Sequence, residues 1–123
     1  MAHQKPGQPA VLIIDDESGS REALAELLAR KGYTVATAED GAGALAYLRG
    51  GLRPGVILLD LMMPGTDGWD FRAQQKRDHS LAAIPVIAVS AAGRLVDADY
   101  SLRKPIDIDA LLKLLRDVLG AGT

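Results

Sequence analysis

Three continuous apolar runs punctuate the chain: Ala10-Val11-Leu12-Ile13-Ile14, Val56-Ile57-Leu58-Leu59 and Ile84-Pro85-Val86-Ile87-Ala88-Val89. Runs of this length bounded by turn residues predict strands buried on both faces of a parallel sheet. A weaker run, Tyr33-Thr34-Val35-Ala36-Thr37-Ala38, suits a sheet edge, and Tyr100-Ser101-Leu102-Arg103 alternates as an edge strand does. Between the runs the apolar spacing becomes helical. Ala23, Leu24, Leu27 and Leu28 mark a helix from Ser18 to Lys31, with Gly32 placed to end it. Asp40 caps a second helix through Ala44, Leu45, Tyr47 and Leu48, closed by Gly50-Gly51. A third, from about Gly68 to Asp78, carries Trp69, Phe71 and a polar Gln74-Gln75-Lys76-Arg77 face. Ile108, Leu111, Leu112, Leu115, Val118 and Leu119 form an amphipathic last helix. Strands alternating with helices predict one α/β domain with a parallel sheet over residues 10–121, after a flexible lead-in at 1–9 rich in Pro, Gly and Gln.

Composition narrows the function more than the fold. With 123 residues, 48% hydrophobic and 24% charged, the chain suits a single soluble domain. A net charge of −2 gives no basic footprint for nucleic acid. No apolar run approaches the roughly 18 residues that a membrane span needs, and the polar start has no signal-like apolar stretch. The absence of cysteine excludes disulfides, Cys-ligated zinc and thiol catalysis. The expected setting is the cytoplasm.

Charge falls where the predicted strands end. Asp15-Asp16-Glu17 follows the first, Asp60 closes the third, Ser90 ends the fourth and Lys104 follows the fifth. In a parallel sheet these ends share one edge, outside which ligands of open α/β folds bind. Each residue has an ordinary explanation: acids complement a helix N-terminus, Ser and Asp form turns, and lysines sit on surfaces. Their coincidence at four strand ends favours chemistry. Clustered carboxylates repel unless a cation sits among them, and Mg²⁺ prefers one or two carboxylates, waters and a phosphate oxygen. A carboxylate can also attack phosphorus, with a lysine and a hydroxyl neutralising the transferred group.

The motifs Leu12-Ile13-Ile14-Asp15-Asp16-Glu17, Leu58-Leu59-Asp60-Leu61-Met62-Met63-Pro64-Gly65-Thr66-Asp67-Gly68, Val89-Ser90-Ala91 and Arg103-Lys104-Pro105-Ile106 together resemble a response regulator receiver domain, chemotaxis-regulator-like, over nearly all of residues 10–120. The resemblance implies a flavodoxin-like (βα)5 doubly wound five-stranded sheet in the order 2-1-3-4-5. It implies that Asp60 accepts a phosphoryl group from a histidine kinase or histidine phosphotransfer protein. Asp16, Asp60 and the backbone carbonyl of Met62 would ligate Mg²⁺, with Asp15 acting through bound water. Ser90 and Lys104 would hold phosphoryl oxygens, and Lys104-Pro105 would be cis. The implied protein is a stand-alone signalling module, not an enzyme in the ordinary sense, whose output is a protein contact.

Two departures from the family stand out. Only residues 91–99 separate Ser90 from the fifth predicted strand, whereas a complete crossover takes at least about 10–12 residues. We expect at most one helical turn there, leaving the sheet near the fourth and fifth strands less covered, with an exposed apolar patch able to bind a partner. Receivers commonly place an aromatic residue three positions before the lysine; here that position is Ser101, and Tyr100 should face the opposite side. Two alternatives therefore stay open: a phosphorylation-independent receiver-like scaffold, and a Mg²⁺-dependent small-molecule phosphohydrolase. The latter would want a second carboxylate two residues after the nucleophile, where this chain has Met62.

Overall fold

A computed structural model describes residues 7–60, 67–90 and 98–120. The described elements run β1 (Val11–Ile14), α1 (Ser18–Arg30), β2 (Val35–Ala38), α2 (Gly41–Arg49), β3 (Val56–Asp60), α3 (Asp67–Arg77), β4 (Val86–Ser90), β5 (Tyr100–Arg103) and α4 (Ile108–Gly120). The strands form one all-parallel sheet in the order β2-β1-β3-β4-β5. This is the flavodoxin-like arrangement that the resemblance implied. None of the described helices is long and apolar enough to cross a membrane.

Burial explains why the apolar runs became the centre. Every residue of β1, β3 and β4 is buried, as strands covered on both faces must be. On one face Leu12, Ile14, Ile57, Leu59 and Val86 pack with Leu45 and Leu48 of α2 and Phe71 of α3. On the other, Val11, Ile13, Val56, Leu58 and Ile87 pack with Leu28 of α1 and with Leu111 and Leu115 of α4. The odd–even alternation of each strand thus divides one continuous apolar run between two cores.

Local signals set the helix ends. Asp40 Oδ1 accepts from the Gly43 amide at 2.6 Å, capping α2 at its start. Gly32 (φ +98°) and Gly51 (φ +114°) occupy the left-handed region just past α1 and α2, where a Cβ would be strained. Near the start of the described chain, Gln8 accepts from the Arg53 amide at 2.7 Å and donates to Gly51 O at 3.2 Å.

One expectation for α3 is corrected. The polar Gln74-Gln75-Lys76-Arg77 face does not hold together, because Gln75 is fully buried. Its amide donates to Leu81 O and Ile84 O, both at 3.0 Å, and its oxygen accepts from Arg72 Nη1 at 2.8 Å. Phe71 and Gln75 are one helical turn apart and so share the inward face, while the larger Trp69 is 44% exposed. The expectation of a less covered sheet near the fourth and fifth strands bears on β5. Of the described strands beside the short 91–99 connection, β4 is wholly buried, and exposure is confined to β5. The register pairs Ala88 with Ser101 and Ser90 with Arg103, so Ser101 and Arg103 share the face of α2 and α3. Both are exposed and polar, whereas Tyr100 on the opposite face is an exposed large apolar residue. Ala98 and Asp99 are non-helical; the rest of that connection, 91–97, lies outside the described residues.

Candidate functional site

The carboxyl ends of β1 and β3 bring three acids together. Carboxylate oxygens of Asp15, Asp16 and Asp60 all lie within 4.8 Å of one another. Asp60 is buried, Asp15 is half-buried and Asp16 is exposed. This follows from parallel pairing: Ile14 stands opposite Leu59, so the next residues along the two strands, Asp15 and Asp60, leave the sheet side by side.

The loop after β1 is held by its own hydrogen bonds. Asp15 N donates to Ala38 O of β2 at 3.1 Å, and Asp15 Oδ1 accepts from the Glu17 amide at 2.9 Å. Arg21, on the first turns of α1, donates from Nη1 to Asp15 O at 2.8 Å. Sequence reasoning did not single out Arg21, although its place six residues after Asp15 and on the helix just entered was a usable signal. Glu17 is occupied otherwise: its carboxylate accepts from the Gly19 and Ser20 amides at 3.1 and 2.6 Å, capping α1. Those bonds, Ser20 first, hold its pKa below the usual glutamate range. Asp15 moves the other way. Burial raises its pKa, opposed by the Glu17 backbone bond, and the neighbouring Asp60 charge raises it further.

Lys104 closes the cluster. Its Nζ lies 3.1 Å from both Asp60 Oδ1 and Asp60 Oδ2, and its backbone amide donates to Ser90 O at 3.0 Å. The Lys104–Pro105 peptide is cis. Ser90 is buried at the end of β4, facing the side of α2 and α3, while Asp60, paired with Val89, faces the side of α1 and α4. The structure therefore gathers Asp15, Asp16, Asp60 and Lys104, with Ser90 on the adjacent strand end. Met62 lies outside the described residues.

The acids and Lys104 open into a cavity of about 860 Å³ between α1 and the start of α4, with Leu24, Leu27, Ile106 and Ile108 among its walls. Tyr100 pairs with Ile87 and so belongs to the α1/α4 face, opposite Ser101, as alternation required.

A doubly wound sheet in the order 2-1-3-4-5, with an acidic cluster at its carboxyl edge, places the molecule in the flavodoxin-like class. Comparison with known proteins makes the assignment specific: residues 11–116 match the model of the response regulator receiver domain. The chain belongs to that family and is a receiver domain of a response regulator, a signalling domain of two-component systems. It is 35% identical over 119 residues to the protein PilH of Pseudomonas aeruginosa, covering 89% of this chain and 97% of PilH. It is 36% identical to the DNA-binding dual master transcriptional regulator RpaA of Synechocystis, covering 90% of this chain and 49% of that protein. The chain thus spans only about half the length of some relatives that it matches. Among solved structures, response regulator TrrA of Thermotoga maritima in complex with Mg²⁺ and BeF superposes with a TM-score of 0.77 at 29% identity, covering 89% of this chain and 97% of that one.

Proposed function

We propose that this receiver accepts a phosphoryl group on Asp60 from the phosphohistidine of a histidine kinase or histidine phosphotransfer protein, in a Mg²⁺-dependent two-component phosphorelay. The observation that carries the reading is the placement of Lys104 Nζ 3.1 Å from both Asp60 oxygens, beside two further carboxylates. An Asp60 oxygen attacks phosphorus, the P–N bond to the donor imidazole breaks, and the imidazole leaves with the bonding pair and takes up a proton. Lys104 turns from the Asp60 carboxylate to a phosphoryl oxygen, and the Ser90 hydroxyl donates to another.

The donor set fits Mg²⁺. Three carboxylates close together, one of them with a raised pKa, form a hard-oxygen site lacking sufficient positive charge of its own. Asp16, Asp60 and the Met62 carbonyl would hold the ion directly and Asp15 through water. When bound, Mg²⁺ neutralises charge that develops on the phosphoryl oxygens. That the solved TrrA structure is a complex with Mg²⁺ and BeF supports this reading.

The partner is a protein, and the surface beside the site supports that. Leu24 and Leu27 of α1 are only half-buried and line the cavity that leads to Asp60, so a donor helix laid along α1 would cover them. A phosphorylation-independent scaffold is the second reading. It is favoured by one feature, the position of Tyr100 on the face opposite Ser101, which removes the usual aromatic partner for a strand-end hydroxyl.

Intact-mass measurement after incubation with acetyl phosphate tests the proposal. A Mg²⁺-dependent phosphoryl adduct on the wild type, absent in Asp60→Asn and in EDTA, is expected. No adduct on a folded wild type would favour the scaffold.

A further inference from the structure

Lys104 reaches Asp60 from the end of β5, the strand with the least to hold it. β5 is four residues long, lies at the sheet edge and, among the described strands, pairs with β4 alone. Tyr100, Ser101 and Arg103 are exposed, and Leu102 is the one β5 residue packed against a core. A strand with so little apolar pattern specifies its own register weakly, and a slip of one residue would turn every side chain to the opposite face. Lys104 would then point away from Asp60.

The leading end of β5 carries a fixed anchor. Asp99, immediately before the strand, uses both its backbone and its side chain on one residue of β4. Its amide donates to Val86 O at 3.1 Å, and its carboxylate Oδ2 accepts from Val86 N at 2.8 Å. The same Oδ2 lies 3.7 Å from Arg72 Nη2, an ion pair longer than a hydrogen bond. Arg72 is itself oriented by buried Gln75, which is tied to Leu81 O and Ile84 O just before β4. The carboxylate thus reads the first residue of β4 and a guanidinium held by α3 together.

We propose that Asp99 is a positioning residue for Lys104: by clamping the entry of β5 to Val86 and Arg72, it sets the register that brings the Lys104 ammonium to Asp60. The register observed fits this arrangement, with Asp99 bonded to Val86 at one end of the strand pair and the Lys104 amide bonded to Ser90 O at the other. An ordinary surface aspartate would be replaceable without effect on a site five residues away. This one would not be.

The activity arm of the test rests on the phosphoryl-acceptor reading, while the exchange arm does not. Amide hydrogen exchange and phosphorylation by acetyl phosphate are measured on the full chain for wild type, Asp99→Ala and Asp99→Asn. In Asp99→Ala the Lys104 amide loses protection while the amides of β1 and β3 keep theirs, and phosphorylation slows by roughly tenfold to hundredfold. Asp99→Asn, which keeps an acceptor for Val86 N but loses the charge facing Arg72, falls between the two in both readouts. Unchanged Lys104 protection in Asp99→Ala overturns the proposal, as does equal loosening of all five strands, which would make Asp99 a general stabiliser. Should Asp99→Ala fail to fold, Asp99→Asn is judged by the same two criteria. A wild type that takes up no phosphoryl group counts against the proposed function and leaves the exchange result to decide the role of Asp99.

Discussion

Lys104 Nζ stands 3.1 Å from each oxygen of Asp60, so one ammonium straddles the carboxylate symmetrically. Three carboxylates meet around this ammonium. The excess of negative charge predicts that a divalent cation stabilises the fold. At a Mg²⁺ concentration ten times its Kd the gain is about 1.4 kcal/mol by mass action. Thermal melts with and without Mg²⁺ should show the rise in wild type and little or none in Asp60→Asn. An equal rise in both would mean that the ion binds elsewhere.

Gln75 is the buried polar residue on which the α3–β4 connection depends. Replacing it with Leu keeps the volume approximately but removes the side-chain donor to Ile84 O, while Leu81 O still accepts from the Ile84 amide. A buried acceptor left unsatisfied costs about 1–3 kcal/mol, so Gln75→Leu should lose roughly that much. Urea unfolding would show this as a lower midpoint at unchanged slope.

How much of this was legible in the residues depended on whether a feature is local. Central strands announce themselves, because a strand covered on both faces must be apolar throughout, as Val56–Leu59 is. Strand-end charges were legible for the complementary reason: Asp15 and Asp60 interrupt apolar runs where the sheet stops. The edge strand β5 was readable by alternation, and that alternation placed Tyr100 on the face where the register has it. Gln75 was not read, because its burial depends on carbonyls six and nine residues away that no helical pattern displays. Its spacing from Phe71 was the available clue. Asp99 and Arg72 escaped for the same reason, since their pairing joins α3 to β5 across a gap in sequence of more than twenty residues.

Glu17 gives the fold a pH dependence of determinate sign. Its pKa is depressed by the Ser20 and Gly19 bonds, so the unfolded chain binds a proton more readily there than the folded one. The stabilisation from this cap is therefore complete above the ordinary glutamate pKa and is lost as pH falls through the depressed folded value. Glu17→Gln retains an acceptor but not the charge. The difference in unfolding midpoint between wild type and Glu17→Gln should favour wild type near neutrality and vanish in acid. A difference that grew on acidification would reverse the assigned sign.

The surface beside the site separates chemistry from recognition. Ala23 is exposed on α1 and lines the cavity that opens onto Asp60, but it makes none of the hydrogen bonds that hold the acids or Lys104. Ala23→Glu adds length and negative charge to a wall otherwise formed by Leu24 and Leu27, at a helical position where Glu is well tolerated. A small donor such as acetyl phosphate needs only the acid cluster and Lys104, so its rate should stay within about twofold of wild type. Transfer from a phosphohistidine protein needs α1 to lie against the donor, and a charge buried unpaired there costs several kcal/mol. That transfer should slow by roughly a hundredfold, mainly through weaker binding. Equal slowing with both donors would place Ala23 in the phosphoryl site itself, and no slowing with either would move the docking surface away from α1.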